Sequence, residues 1–197
     1  MPAGYGGGVD ETIGATLLAR LEAALAARER VVAPESDKIA TAVLALCEPT
    51  ADDLRLVFTK RAADLSNHAG QMSFPGGKAE AGEDAVATAL REAAEEIGLV
   101  PNAVRPFGML DDLTTVVSPF VITPVVAELS EPQAWSLAAA EVAEIREYGL
   151  RELVERATVR TELWNGREVL FYDIDGETIW GATAWMVRQL LTLLALA

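Results

Sequence analysis

Thiols, imidazoles and ammonium groups are scarce in this chain. Its 197 residues include one cysteine, Cys47, one histidine, His68, and three lysines, Lys38, Lys60 and Lys78. A single cysteine excludes an internal disulfide, and its apolar neighbours make Cys47 a small buried hydrophobe in a reducing compartment. A formal net charge of −14 argues against a general nucleic-acid binder, which needs a basic face. No continuous apolar run follows a basic start, so no signal peptide is expected. The C-terminal LLTLLALA is too short to span a bilayer. Internal repeats are absent. The expectation is a cytoplasmic protein without a membrane or nucleic-acid partner.

What is present suits one domain with a sizeable core: 51% hydrophobic and 23% charged residues. Residues 1–36 are expected to form a mobile Gly-rich start (1–9), an accessory helix (Asp10–Arg30) and a linker (Val31–Asp37) leading into the main domain, 37–197. The apolar side of that helix, Leu17, Leu18, Leu21 and Leu25, suits packing on the domain or on a second subunit, so a homodimer is permitted. Strands are expected at Ala40–Cys47, Leu54–Thr59, Val104–Leu113, Phe120–Glu128 and Glu141–Tyr148, with a loop over Lys60–Ser73. Glu131–Ala140 reads as loop or short helix, and Leu150–Arg156 as a short helix. Asn165-Gly166 signals a tight hairpin. A last helix is expected over Ile179–Leu196, with Trp180 and Trp185 turned to the core. Strands mixed with helices indicate an α/β sheet packed between helices.

The most informative stretch is GKAEAGEDAVATALREAAEEIGL, residues 77–99. No Pro or Gly interrupts Glu83–Ile97, and Ala, Leu, Glu and Arg dominate, which predicts a helix. Val86, Leu90, Ala93 and Ile97 form its apolar stripe. Glu92, Glu95 and Glu96 fall three and four residues apart on another face, beside Arg91. Crowded carboxylates repel unless a cation sits among them, and hard oxygen ligands suit Mg²⁺ or Mn²⁺. A solvated acidic helix face is the plainer alternative.

Taken together, Gly77, Glu83, Arg91-Glu92-Ala93, Glu95-Glu96 and Gly98-Leu99 resemble the Nudix box, with Ala93 where a larger aliphatic residue is usual. Upstream, Thr59-x-Arg61-Ala62, Gly70 and Phe74-Pro75-Gly76-Gly77 are similar to the motif of the coenzyme A pyrophosphatase branch. The likeness continues through Pro119–Val126, Glu141-Val142-Ala143-Glu144 and Ile179–Ala184. It departs at Ser66, where the branch has arginine, and at Val57-Phe58, where it has a leucine pair.

The resemblance implies a mixed sheet in an α/β/α sandwich and metal-dependent hydrolysis of a pyrophosphate bond. The substrate it implies is coenzyme A or an acyl derivative, giving 3′,5′-ADP and 4′-phosphopantetheine or its acyl form. Alternatives are another nucleotide such as ADP-ribose, or a ligand-sensing domain that does not cut. Glu92, Glu95 and Glu96, with the Gly76 or Gly77 carbonyl, are then the metal ligands, while Arg91 and Glu83 orient the carboxylates. The general base is Glu141, Glu144 or Glu96, with Glu141 ranked first. Lys60, Arg61 and Lys78 are the cations for the substrate's phosphates, and Gly70, Phe74, Gly76 and Gly77 shape the loop beside it. His68 reads as a ligand-side or plain loop histidine.

Overall fold

Alternation along β-strands decides this fold, because one central sheet is buried on both faces. A computed structural model describes residues 12–34, 37–62, 70–115 and 119–196. Residues 1–9, Ser66 and His68 lie outside them. Helix α1 (Ile13–Ala26) leads to β1 (Ile39–Pro49) and β2 (Leu54–Arg61). The short strands β3 (Met72–Ser73) and β4 (Gly76–Lys78) precede α2 (Ala85–Ile97). Then come β5 (Val104–Met109), β6 (Leu113–Thr114), β7 (Phe120–Leu129), β8 (Val142–Gly149) and α3 (Leu150–Arg156). A meander, β9 (Thr158–Trp164), β10 (Arg167–Ile174) and β11 (Glu177–Trp180), and helix α4 (Gly181–Leu193) complete the chain.

The large sheet is mixed. β1 runs parallel to β7 from Ile39↔Phe120 to Cys47↔Glu128 and antiparallel to β2 and β4. β2 continues antiparallel into β3 and β8. Period-two alternation sends Ala42, Leu44, Leu46 and Val57 to one face, where they pack with Ala89, Ala93 and Ile97 of α2. It sends Ala45, Cys47, Leu54, Leu56 and Phe58 to the other, against α1, α3, α4 and the inner face of the second sheet. The arrangement is an α/β/α sandwich with a three-stranded sheet, β11-β10-β9, set into one outer layer.

The N-terminal helix is no appendage in space. Leu17, Leu18, Leu21 and Leu25 are buried in the same core as α4, so the apolar side that would have served a second subunit is covered by the chain itself. Burial in this core pushes the Cys47 thiol up to about 12.

Several boundaries differ from expectation. β2 runs on through Lys60 and Arg61, which become strand rather than loop residues. The strand expected at Val104–Leu113 breaks at Leu110–Asp112, where the Asp111 and Asp112 carboxylates turn to accept from Val31 N, Ala33 N, Arg28 and Arg30. Residues 131–140 hold neither helix nor strand. The Asn165-Gly166 hairpin forms as expected, with both φ positive. A second hairpin at Asp175-Gly176, φ 50 and 78, takes Ile179 and Trp180 into β11, so the last helix starts at Gly181. Trp180 stacks on Phe171 at 6.0 Å, and Trp185 is exposed rather than in the core.

Candidate active site

The site is built where β4 passes the acidic face of α2. Asp84 caps that helix, its carboxylate accepting from Ala87 N at 2.8 Å. Gly98 ends it at φ 68 and donates to Ala93 and Ala94. Glu83, just before the cap, accepts two bonds from Arg91: Nε to Oε1 at 2.8 Å and Nη2 to Oε2 at 3.0 Å. The fork is completed by Glu80 N and Thr88 Oγ1 donating to the same carboxylate. These bonds, Arg91's first, hold the Glu83 carboxyl down at about 2.

Arg91 is a hub. It also donates to Glu92 at 3.1 Å, Glu95 at 3.2 Å and the Lys78 carbonyl at 2.9 Å. It thereby ties the helix to β4 and orients two of its three carboxylates.

Two glycines let the strand lie this close. Gly76 has φ 153, and a Cβ there would stand 2.3 Å from the Ala42 carbonyl oxygen. A Cβ on Gly77 would stand 2.4 Å from Cδ of Glu92. Glycine at 77 is the cradle in which the Glu92 carboxylate rests.

Glu96 differs from its neighbours. It is only 5% exposed, and its carboxylate accepts from Gly76 N at 3.1 Å. Burial raises its pKa to about 7; Gly76 N–H and Arg61 work against that rise, while Glu141 and Glu92 add to it. Arg61, Glu141 and Glu92 therefore share the electrostatic environment of Glu96. The loop carrying Glu141 is held there by Ala138 N donating to the Glu96 carbonyl and Ala62 N to the Glu141 carbonyl, both at 2.9 Å.

The other expected residues separate. Lys60, next to Arg61, lies on the opposite face of the sheet and bonds Glu177 at 2.6 Å. Glu144 pairs with Arg146, which also reaches Glu177; neither faces α2. Phe74 is buried and stacked on Phe58, ring centres 4.9 Å apart, so it supports the site from within the core and touches no ligand surface. Lys78 is exposed, its Nζ 5.7 Å from the Phe120 ring centre. Gly70 adopts φ 70 with its N–H donating to the Arg61 carbonyl at 3.1 Å, and a Cβ there would meet nothing within 4 Å among the described residues.

The donor chemistry fits a divalent cation: hard carboxylate oxygens on one face of α2, that of Glu96 buried near Glu92 and Glu141. Among the described residues no three acids, histidines or cysteines are gathered closely enough to enclose an ion. Glu92 and Glu95 are turned to Arg91, and Glu95 is 61% exposed. Sequence reasoning ranked the carboxylates together; it missed that Glu177 collects Lys60 and Arg146, because no local pattern links β11 to β2.

Residues 38–173 match the model of the NUDIX domain. An uncharacterized Nudix hydrolase NudL of Pectobacterium atrosepticum is 36% identical over 150 residues, covering 74% of this chain and 76% of that protein. The corresponding protein of Photorhabdus laumondii is 34% identical, covering 74% and 78%. Among solved structures, a MutT/nudix family protein from Enterococcus faecalis superposes with a TM-score of 0.52 at 15% identity, covering 90% of this chain and 74% of that one. The Nudix hydrolase RenU of M. smegmatis gives 0.51 at 21% identity, covering 60% and 74%. The two structural likenesses establish the shared fold.

Proposed function

The chain belongs to the Nudix family, and from that premise we propose that it is a pyrophosphohydrolase of nucleoside diphosphate derivatives whose substrate is coenzyme A or an acyl-coenzyme A. Water adds to one phosphorus, one P–O bond of the bridge breaks, and 3′,5′-ADP leaves together with 4′-phosphopantetheine or its acyl form. The observation carrying this reading is the position of Arg61. The coenzyme-A-type motif residue emerges from β2 on the α2 face, in the field of Glu96, with its buried Nε unbonded among the described residues. A guanidinium so placed offers an anionic oxygen a partner.

Glu92, Glu95 and Glu96, with the Gly76 carbonyl, would hold Mg²⁺ or Mn²⁺, which when bound neutralises phosphoryl charge and makes a water easier to deprotonate. Arg91 keeps Glu92 and Glu95 oriented and anchors them to β4. Glu141 accepts the proton of the attacking water, being the acid that the 134–141 loop brings beside Glu96 from outside the helix. Lys78, exposed on β4, adds positive charge at the rim.

The test is incubation of the purified chain with coenzyme A, acetyl-coenzyme A and ADP-ribose in Mg²⁺ or Mn²⁺, with chromatography of the fragments. Release of 3′,5′-ADP, abolished by Glu96→Gln, is expected. Cleavage of ADP-ribose alone would overturn the coenzyme A assignment and keep the chemistry. Cleavage of nothing, with tight binding of a substrate, would favour a sensing domain.

A further inference from the structure

The second sheet ends on an open edge. Among the described residues β9 pairs only with β10. Its hairpin turn has φ 52 at Asn165 and 77 at Gly166, a two-residue primed turn that makes Trp164 and Arg167 a hydrogen-bonded pair. Antiparallel alternation then directs the backbone groups of Thr158, Arg160, Glu162 and Trp164 toward β10. Those of Val159, Thr161 and Leu163 point away from it. Proline, lysine and bulges, the usual means of blunting such an edge, are all missing from Thr158–Trp164. Leu163 is 73% exposed, Trp164 46% and Val159 45%.

Laid antiparallel against itself, this strand is self-complementary in one register. With the dyad at Thr161, Val159 faces Leu163 of a second copy, Arg160 faces Glu162, and Thr158 faces Trp164. Every outward N–H and C=O of Val159, Thr161 and Leu163 then meets its counterpart. Arg160, which bonds Asp173 and Glu162 of its own chain and lies over the Phe171 ring, faces Glu162 of the second copy at the closely spaced positions, where the two ion pairs extend into one network across the dyad. Centring the dyad on Arg160 or Glu162 instead would set like charges against each other. Two copies of a chain carrying −14 repel, yet this segment carries one arginine and one glutamate and is locally neutral.

We propose that β9 joins two copies of this chain, antiparallel about Thr161, into one six-stranded sheet running β11-β10-β9-β9-β10-β11. The contact is isologous, so it closes at a dimer. Charge and apolar residues match the strand to itself, which selects a second copy over an unrelated peptide.

Sedimentation equilibrium on the full chain tests this. A concentration-dependent dimer is expected, and Thr161→Pro should weaken it at least about tenfold, since the lost N–H points outward and serves no bond to β10. Glu162→Arg and Arg160→Glu should each be monomeric, while their equimolar mixture should form a heterodimer. As a check independent of fold damage, Thr161→Cys should give a covalent dimer on oxidation, because facing Cα atoms about 5.5 Å apart suit a disulfide. Cys47 is buried and does not compete. A wild-type chain that stays monomeric overturns the proposal. So does a dimer indifferent to Thr161→Pro whose Thr161→Cys form fails to cross-link.

Discussion

Lys60 and Arg61 are consecutive, carry the same charge and each face a nearly buried glutamate, yet their circumstances differ. Lys60 closes on Glu177 at 2.6 Å, with Arg146 reaching the same carboxylate at 3.4 Å. Arg61 lies on the other face of the strand, in the field of Glu96, whose own hydrogen bond comes from Gly76 N. A closed pair is satisfied and contributes to the fold. Arg61 closes on no carboxylate among the described residues, and its buried Nε is unbonded there. That contrast, more than the number of charges, distinguishes the two faces of the sheet.

Removing Glu96 should have the largest effect. Glu96→Gln keeps the size of the side chain and an acceptor for Gly76 N–H, and kcat should fall by at least about 10³-fold, measured as release of the nucleotide product. A variant with near wild-type turnover would remove Glu96 from the chemistry.

The pH dependence of the metal-free chain comes next. Burial holds Glu96 at about 7 in the folded chain, above the ordinary 4.5, so the native state binds the extra proton between those values. Stability therefore decreases as pH rises from about 4.5 to about 7, by up to about 3 kcal/mol from this group. Glu96→Gln should lack this component in thermal melts compared at several pH values. Identical profiles for the two chains would mean that Glu96 is ordinarily solvated.

The contrast between the two cations can then be measured directly. Arg61→Met should lower kcat/KM by about 10- to 100-fold, equivalent to about 1.4–2.8 kcal/mol, with little change in melting. Lys60→Met should change kcat/KM by less than about threefold and cost about 1 kcal/mol of stability, read by denaturant titration. The reverse pattern would break the comparison, placing the substrate's anionic groups on the α4 side.

Much of this was legible in the chain. Helix α2, its glutamate face and the Asn165-Gly166 turn depend on residues within one or two turns of each other, where spacing and propensity act directly. The Asp175-Gly176 turn is an equally plain signal, and only with it do Ile179 and Trp180 read as strand rather than as the start of the last helix. What stayed hidden was relational. The position of Lys60 away from α2 follows from strand alternation once β2 is known to extend to Arg61. The pairing of Lys60 with Glu177 spans 117 residues, and nothing local encodes it.

The sequence by itself determined the acidic helix, its caps and the glycine approach to it, because these are consequences of short-range sterics and hydrogen bonding. It also carried the alternation that makes each strand two-faced. Only the tertiary structure decided which face met α2 and which met α1 and α4, and so which cation stands by Glu96. It also buried Glu96 beside Glu92 and Glu141, which gives one carboxylate among many its unusual proton affinity. Desolvation and charge proximity are properties of the packed chain, and they do not exist until it folds.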